Sequence, residues 1–113
     1  MKVEIATEKI AAGVLMRLKG DVDMNTSPDV RNSLGEVFRQ KGSRALLINL
    51  SDVRYMDSSG IATLVEAMQN CMKQGMRLRL VSLSPSVRDV FEMARLSSVF
   101  DIVQDADAAL TGL

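Results

Sequence analysis

The run Asp57-Ser58-Ser59-Gly60 places a carboxylate, two hydroxyls and a glycine directly after the apolar-leaning pair Tyr55-Met56. A buried strand is expected before it and an amphipathic helix after it, which makes these four residues a strand-to-helix turn. In open α/β sheets, binding residues gather at the carboxyl ends of strands, and this turn lies at such an end. The first turn of a helix has unpaired N–H groups and a partial positive charge, a ready seat for a phosphate or other oxyanion. Gly60 would remove a side chain from that approach. The same residues also read as plain structure. A serine before a helix commonly caps it, as Ser27 and Ser84 are expected to do in Ser27-Pro28 and Ser84-Pro85, and an aspartate favours the positive end of a helix. Local pattern leaves both readings open.

The rest of the chain narrows the chemistry. A serine hydrolase needs a base for its nucleophile, normally histidine, and the chain has none; the flanks of the two serines do not spell G-x-S-x-G either. A nucleotide-hydrolysing enzyme needs a phosphate-cradling loop such as G-x-x-x-x-G-K-[ST], and that pattern is absent. What remains is a serine whose hydroxyl is modified by another protein, a task that asks only for exposure and a surface to grip. The lone Cys71 lies beside the apolar stripe of a helix with no histidine to activate it, so it reads as structural. Without histidine the commonest metal ligand is missing too, and no cofactor or metal is expected.

Elements that position this turn can be read from periodicity. Val3 to Thr7 and Val14 to Leu18 are expected as short strands, with Gly13 in the connection and an antiparallel pairing between them. Gly20 to Ser27 reads as a polar loop. A helix then opens on Ser27-Pro28, draws one face from Val30, Leu34, Val37 and Phe38, and stops at Gly42. Ala45 to Leu50 is a nearly continuous apolar strand, the pattern of a sheet interior covered on both faces. After the Asp57 turn, a second helix runs on Ile61, Leu64, Val65, Met68 and Met72 to Gly75. Leu78 to Leu83 is a further strand, and Ser84-Pro85 starts a third helix that buries Val87, Val90, Phe91 and Ala94. Ile102-Val103 is a weak strand, and Asp105 to Leu110 a short helix. The order β-β-α-β-α-β-α-β-α gives one α/β domain over residues 1–113, with a mainly parallel sheet, an N-terminal antiparallel pair and about four helices.

Totals exclude several partners. With 14 Lys plus Arg against 14 Asp plus Glu the formal net charge is zero, whereas nucleic-acid binders carry a basic excess. Direct nucleic-acid binding and a membrane surface are both disfavoured. The longest apolar run, Ala45 to Ile48, falls far short of the ~20 residues of a spanning helix. The N-terminus lacks the apolar stretch of an export signal, and one cysteine suits a reducing compartment, so the expected location is cytoplasmic.

From Asn49 to Gly60 the sequence N-L-S-D-V-R-Y-M-D-S-S-G resembles the signature of STAS domains, specifically the bacterial anti-sigma factor antagonists. Gly20-Asp21-Val22-Asp23 is similar to that family's G-x-h-D loop, where h is apolar, and Leu83 to Val87 followed by Phe91 is similar to its third helix start. The likeness covers nearly the whole chain. It implies a protein that binds an anti-sigma factor which is also a serine kinase, so releasing a sigma factor. That kinase phosphorylates the serine after the motif aspartate, here Ser58, and a serine phosphatase reverses the step. ATP, Mg²⁺ and the catalytic base would belong to the kinase; this chain would supply the hydroxyl. The implied partner surface is Asp23, Met24, Asn25, Thr26, Asp57, Ser58, Ser59, Ile61 and Ala62. Ser59 is the weaker acceptor, since helical geometry turns it ~100° from its neighbour. Many relatives have leucine-glycine after D-S-S-G, where this chain has Ile61-Ala62 and thus an extra methyl facing a partner. Met24 and Met56 flank the two loops and suit either adaptable contacts or core filling. A second class consistent with the resemblance is an interaction module that never switches, such as a lipid-transporter accessory subunit or a stressosome-like scaffold.

Overall fold

Period-two patterning at the N-terminus gives a long hairpin. In the computed structural model, which describes residues 2–113, β1 (Val3–Ile10) and β2 (Gly13–Val22) pair antiparallel through an Ala11-Ala12 turn. The chain continues through α1 (Ser27–Arg39), β3 (Ala45–Met56), α2 (Ser58–Gln74), β4 (Arg77–Val81), α3 (Pro85–Met93), β5 (Asp101–Val103) and α4 (Ala106–Leu110). The element order is the expected one. The sheet has five strands in the order β1-β2-β3-β4-β5, parallel from β2 onward.

Because the strand order advances in one direction, crossovers of one hand put α1, α2 and α3 on the same face. The main core lies there: Met16 and Leu18 of β2, Leu46, Ile48 and Leu50 of β3 and Leu80 of β4 meet Val30, Leu34, Leu64, Ala67, Val87 and Phe91 from the helices. Each fully buried Leu or Phe contributes about 1.5–3 kcal/mol. The Phe91 and Phe100 rings, 5.5 Å apart and inclined by 50°, close the core at the β5 end. The opposite face is covered only in part, where Leu47 and Val81 pack on Ala109 of α4. Arg79 holds that cover down. It is buried, donates from Nε to Asp101 at 2.8 Å and from Nη1 to the Ala109 carbonyl at 2.9 Å and the Thr111 carbonyl, while Arg77 reaches the Gly112 carbonyl at 2.7 Å.

Several expectations need correction. The third strand does not stop at Leu50 but runs to Met56, and β2 runs on to Val22. Between Arg17 and Lys19, and again between Gly20 and Asp21, the register slips so that β3 carries an extra residue opposite β2. These bulges put Leu50, Val53 and Met56 all on the core side, a spacing of three that hides the strand from a search for alternation. Ser27 is not a cap: it is the buried first residue of α1, Thr26 precedes it, and no side chain caps that helix. The helix closes at Gln40, before Gly42. Met72 and Ala94 are exposed rather than buried, Val90 is half-buried, and Cys71 sits fully in the core. Ser84 does cap α3, its Oγ accepting from Val87 N–H at 3.3 Å and donating to the Val53 carbonyl at 2.6 Å.

Candidate functional site

The bulged ends of β2 and β3 finish side by side, Val22 opposite Met56, and Asp57 N–H extends the ladder by bonding the Val22 carbonyl at 3.2 Å. The loop leaving β2 (residues 23–26) and the start of α2 are therefore neighbours.

Each residue of Gly20-Asp21-Val22-Asp23 has a physical task. Gly20 has φ +109, and a Cβ there would lie 2.4 Å from the Lys2 carbonyl oxygen, so only glycine fits under β1. Asp21 is buried, with Arg54 Nη2 3.4 Å from its carboxylate. Val22 is core. Asp23 folds its carboxylate back on its own loop, Oδ1 accepting from the N–H groups of Asn25 at 2.9 Å and Thr26 at 3.1 Å. Thr26 is buried; its hydroxyl accepts from Asp23 N–H at 2.9 Å and donates to the Asp21 carbonyl at 2.8 Å. It shapes the loop from inside, and the surface is left to Asn25 and to Met24, which is 76% exposed. Met56, by contrast, is core filler, 2% exposed.

Asp57 is the cap of α2. Its Oδ1 accepts from Ser59 N–H at 2.9 Å, Gly60 N–H at 3.3 Å and Ser59 Oγ–H at 2.6 Å. The Ser59 hydroxyl is the main reason its carboxyl sits below the usual range; partial burial opposes this, and the backbone N–H groups of Gly60, Ser59 and Met24 add to it. Ser59 is half-buried and its hydroxyl is committed to Asp57. Ser58, one position earlier, is exposed, and no hydrogen bond among the described residues engages its Oγ. Ile61 is half-buried and Ala62 exposed on the same opening turns of α2.

Gly60 answers to packing rather than to a ligand. A Cβ at this position would meet Met56 Cγ at 2.6 Å and Val22 Cγ1 and carbonyl oxygen at 3.0 Å, all inward. The stripe that α2 lays on the sheet is Gly60, Thr63, Leu64, Ala67 and Cys71. Mostly small residues let the helix approach closely; Thr63 is accommodated because its hydroxyl bonds the Ser59 carbonyl at 2.9 Å. One feature at the edge of this surface is invisible in the sequence. Arg31 of α1 pairs with Glu66 of α2, Nε to Oε2 at 2.9 Å and Nη2 to Oε2 at 2.8 Å, an exposed link between the helix that follows the Met24 loop and the helix that carries Ala62. Nothing local signals a pair whose members lie 35 residues apart. Among the described residues no cluster of His, Cys, Asp and Glu is arranged to hold a metal ion, and no helix is long and apolar enough to cross a membrane.

Such an arrangement offers a free hydroxyl on a helix start closed by a capping carboxylate, with Met24, Asn25 and Ala62 exposed on the same two segments. It suits a hydroxyl presented to another protein. The protein-family model described as STAS domain matches residues 4–109. The anti-sigma-B factor antagonist of Listeria monocytogenes is 35% identical over 83 residues, covering 74% of this chain and 72% of that protein. Among solved structures, an anti-sigma factor antagonist from Mycobacterium paratuberculosis superposes with a TM-score of 0.86 at 25% identity, covering 96% of this chain and 92% of the other. The Bacillus cell fate determinant SpoIIAA in its phosphorylated form has a TM-score of 0.74 at 22% identity, with 95% and 96% covered.

Proposed function

The chain belongs to the STAS domain family, and from that premise we propose that it is an anti-sigma factor antagonist, switched off by phosphorylation of Ser58. It binds an anti-sigma factor that is also a serine kinase, through the surface of Asp23, Met24, Asn25, Asp57, Ser58, Ser59, Ile61 and Ala62, with Thr26 supporting that surface from beneath. Binding frees a sigma factor; the bound kinase then modifies Ser58, and a serine phosphatase restores the active form. The location is cytoplasmic, where these partners operate, and neither nucleic acid nor membrane is contacted directly.

The observation that carries this reading is the contrast within one turn: the Ser58 hydroxyl is exposed and uncommitted, while its neighbours are bonded or buried. A phosphoserine adds a charge of about −1.5 to −2 at pH 7 on the surface the kinase grips. The names of the relatives agree with antagonism of an anti-sigma factor, and a phosphorylated form of a protein with the same fold agrees with the switch.

The test is to incubate the chain with the host's anti-sigma factor kinase and ATP, and to map the product by mass spectrometry. Label on Ser58, abolished in Ser58→Ala with kinase binding retained, is the expected result. Stable binding without any label points instead to a non-switching interaction module. Label on Ser59, Thr63 or a distant serine instead overturns the assignment.

A further inference from the structure

Two serines stand together at the start of α2, and their types alone give a kinase no reason to choose between them. Phosphorylation requires a hydroxyl oxygen to attack the γ-phosphorus of the kinase-bound ATP. The new O–P bond forms as the bond to the bridging oxygen of departing ADP breaks, and the hydroxyl proton passes to a base on the kinase. A hydroxyl whose proton is already held elsewhere must first give up that bond and turn outward.

The Ser59 hydroxyl is held in this way. Its Oγ donates to Asp57 Oδ1 at 2.6 Å, and the same oxygen takes the N–H groups of Ser59 and Gly60, so rotating the side chain out removes one of the three bonds that this capping oxygen accepts. Hydrogen bonds to an ionised acceptor are about twice as strong as neutral ones. A phosphate on Ser59 would also press against the carboxylate that caps it, in a half-buried position. Ser58 has neither constraint.

We propose that Asp57 is a positioning residue that selects the acceptor: by locking the Ser59 hydroxyl into the helix cap, it leaves Ser58 as the one hydroxyl of the pair that the kinase can use. The proposal rests on the reading of this turn as a kinase target, and adds to it a reason for the choice of site. The Asp57 carboxyl sits below the usual carboxylate range, so the lock stays ionised below neutral pH as well.

The experiment quantifies phosphoserine at each position, against synthetic phosphopeptide standards, after reaction of wild type, Asp57→Ala and Asp57→Asn with the host's anti-sigma factor kinase and ATP. Asp57→Ala removes cap and lock together, and the Ser59-to-Ser58 ratio is expected to rise roughly tenfold or more. Asp57→Asn keeps an oxygen that can cap the helix but weakens the acceptor, so its ratio falls between the two. A purely structural role would lower both labels and leave their ratio unchanged; an unchanged ratio in Asp57→Asn, which retains the helix cap, overturns the proposal even where Asp57→Ala does not fold. Chief labelling of Ser59 in wild type overturns it as well. A second readout needs no kinase. The Ser59 hydroxyl proton should exchange slowly enough to be seen by NMR in wild type and be lost in Asp57→Ala. Its absence in wild type overturns the lock, whereas its presence with no label on either serine overturns the kinase reading alone.

Discussion

A phosphate on Ser58 finds several neighbouring N–H groups already taken. The first-turn N–H groups of Ser59 and Gly60 are bonded to the Asp57 carboxylate, and the N–H groups of Asn25 and Thr26 to Asp23. The new charge therefore stands on the surface beside an acid, with fewer N–H groups left to neutralise it. Two charges against one at ~5 Å and an effective dielectric of ~20 repel by several kcal/mol before screening. Solvent and salt reduce this to about 1–3 kcal/mol, a loss of roughly tenfold to a few hundredfold in affinity for a partner that buries this surface. Titrating the proposed partner kinase should find unmodified protein binding tightest, Ser58→Asp intermediate and the phosphorylated protein weakest, and high salt should narrow part of the gap. Equal or tighter binding by the phosphorylated form would refute release by charge.

The same capping arrangement decides what happens to the element. Because Asp57 and not Ser58 closes α2, phosphorylation should leave helix content unchanged, and far-ultraviolet circular dichroism of the two forms should superimpose; a marked loss of helix signal would mean an order–disorder switch. Gly60 gives a sharper test of how α2 is seated. Alanine usually stabilises a helix relative to glycine by about 0.5–1 kcal/mol, but here its Cβ would press on Met56 and on the Val22 carbonyl that accepts the Asp57 N–H. Gly60→Ala should destabilise the fold by about 1–3 kcal/mol in urea unfolding, and a gain in stability would show that α2 sits farther from the strands than described. What the sequence disclosed about α2 was its existence, its turn and its end at Gly75, where the residue adopts φ +69. Its buried stripe was misplaced by one residue, from Met72 to Cys71, because apolarity was weighed and size was not: close approach favours Gly60, Ala67 and Cys71 over larger methionines. The far half of β3 escapes a search for alternation because bulges break it, and Ser27-Pro28 has the pattern of a cap because the competing bonds of Thr26 and Asp23 depend on β2 ending where it does. The Asp57-Ser58-Ser59-Gly60 turn is legible as a candidate site, with Ser58 ahead of Ser59 on the resemblance and helical geometry, but the bond from the Ser59 hydroxyl to Asp57 is not specified by residue types.

At the scale of the molecule, the core on the helical face and the cover supplied by α4 make one cooperative body. Cys71 reports on it. Burial pushes its thiol up to about 11, and the thiolate is the reactive form. Native protein at pH 8 should react with a disulfide reagent only through opening, so labelling should be slow and become complete on denaturation. Rapid labelling of the native chain would show that α2 is not packed as described.

The order of the strands also has a meaning in time. β1 pairs with β2, β2 with β3, β3 with β4 and β4 with β5, so no strand must wait for a partner from beyond its successor. A chain emerging from the ribosome N-terminus first, at about 5–20 residues per second, can add each strand to an edge that already exists. The loop after β2, the Asp57 cap and the whole of α2 are synthesised while residues 75–113 are still to come. The surface that presents Ser58 is thus encoded in the early part of the chain, and the last residues arrive to be clasped, when Arg77 and Arg79 take up the carbonyls of Ala109, Thr111 and Gly112.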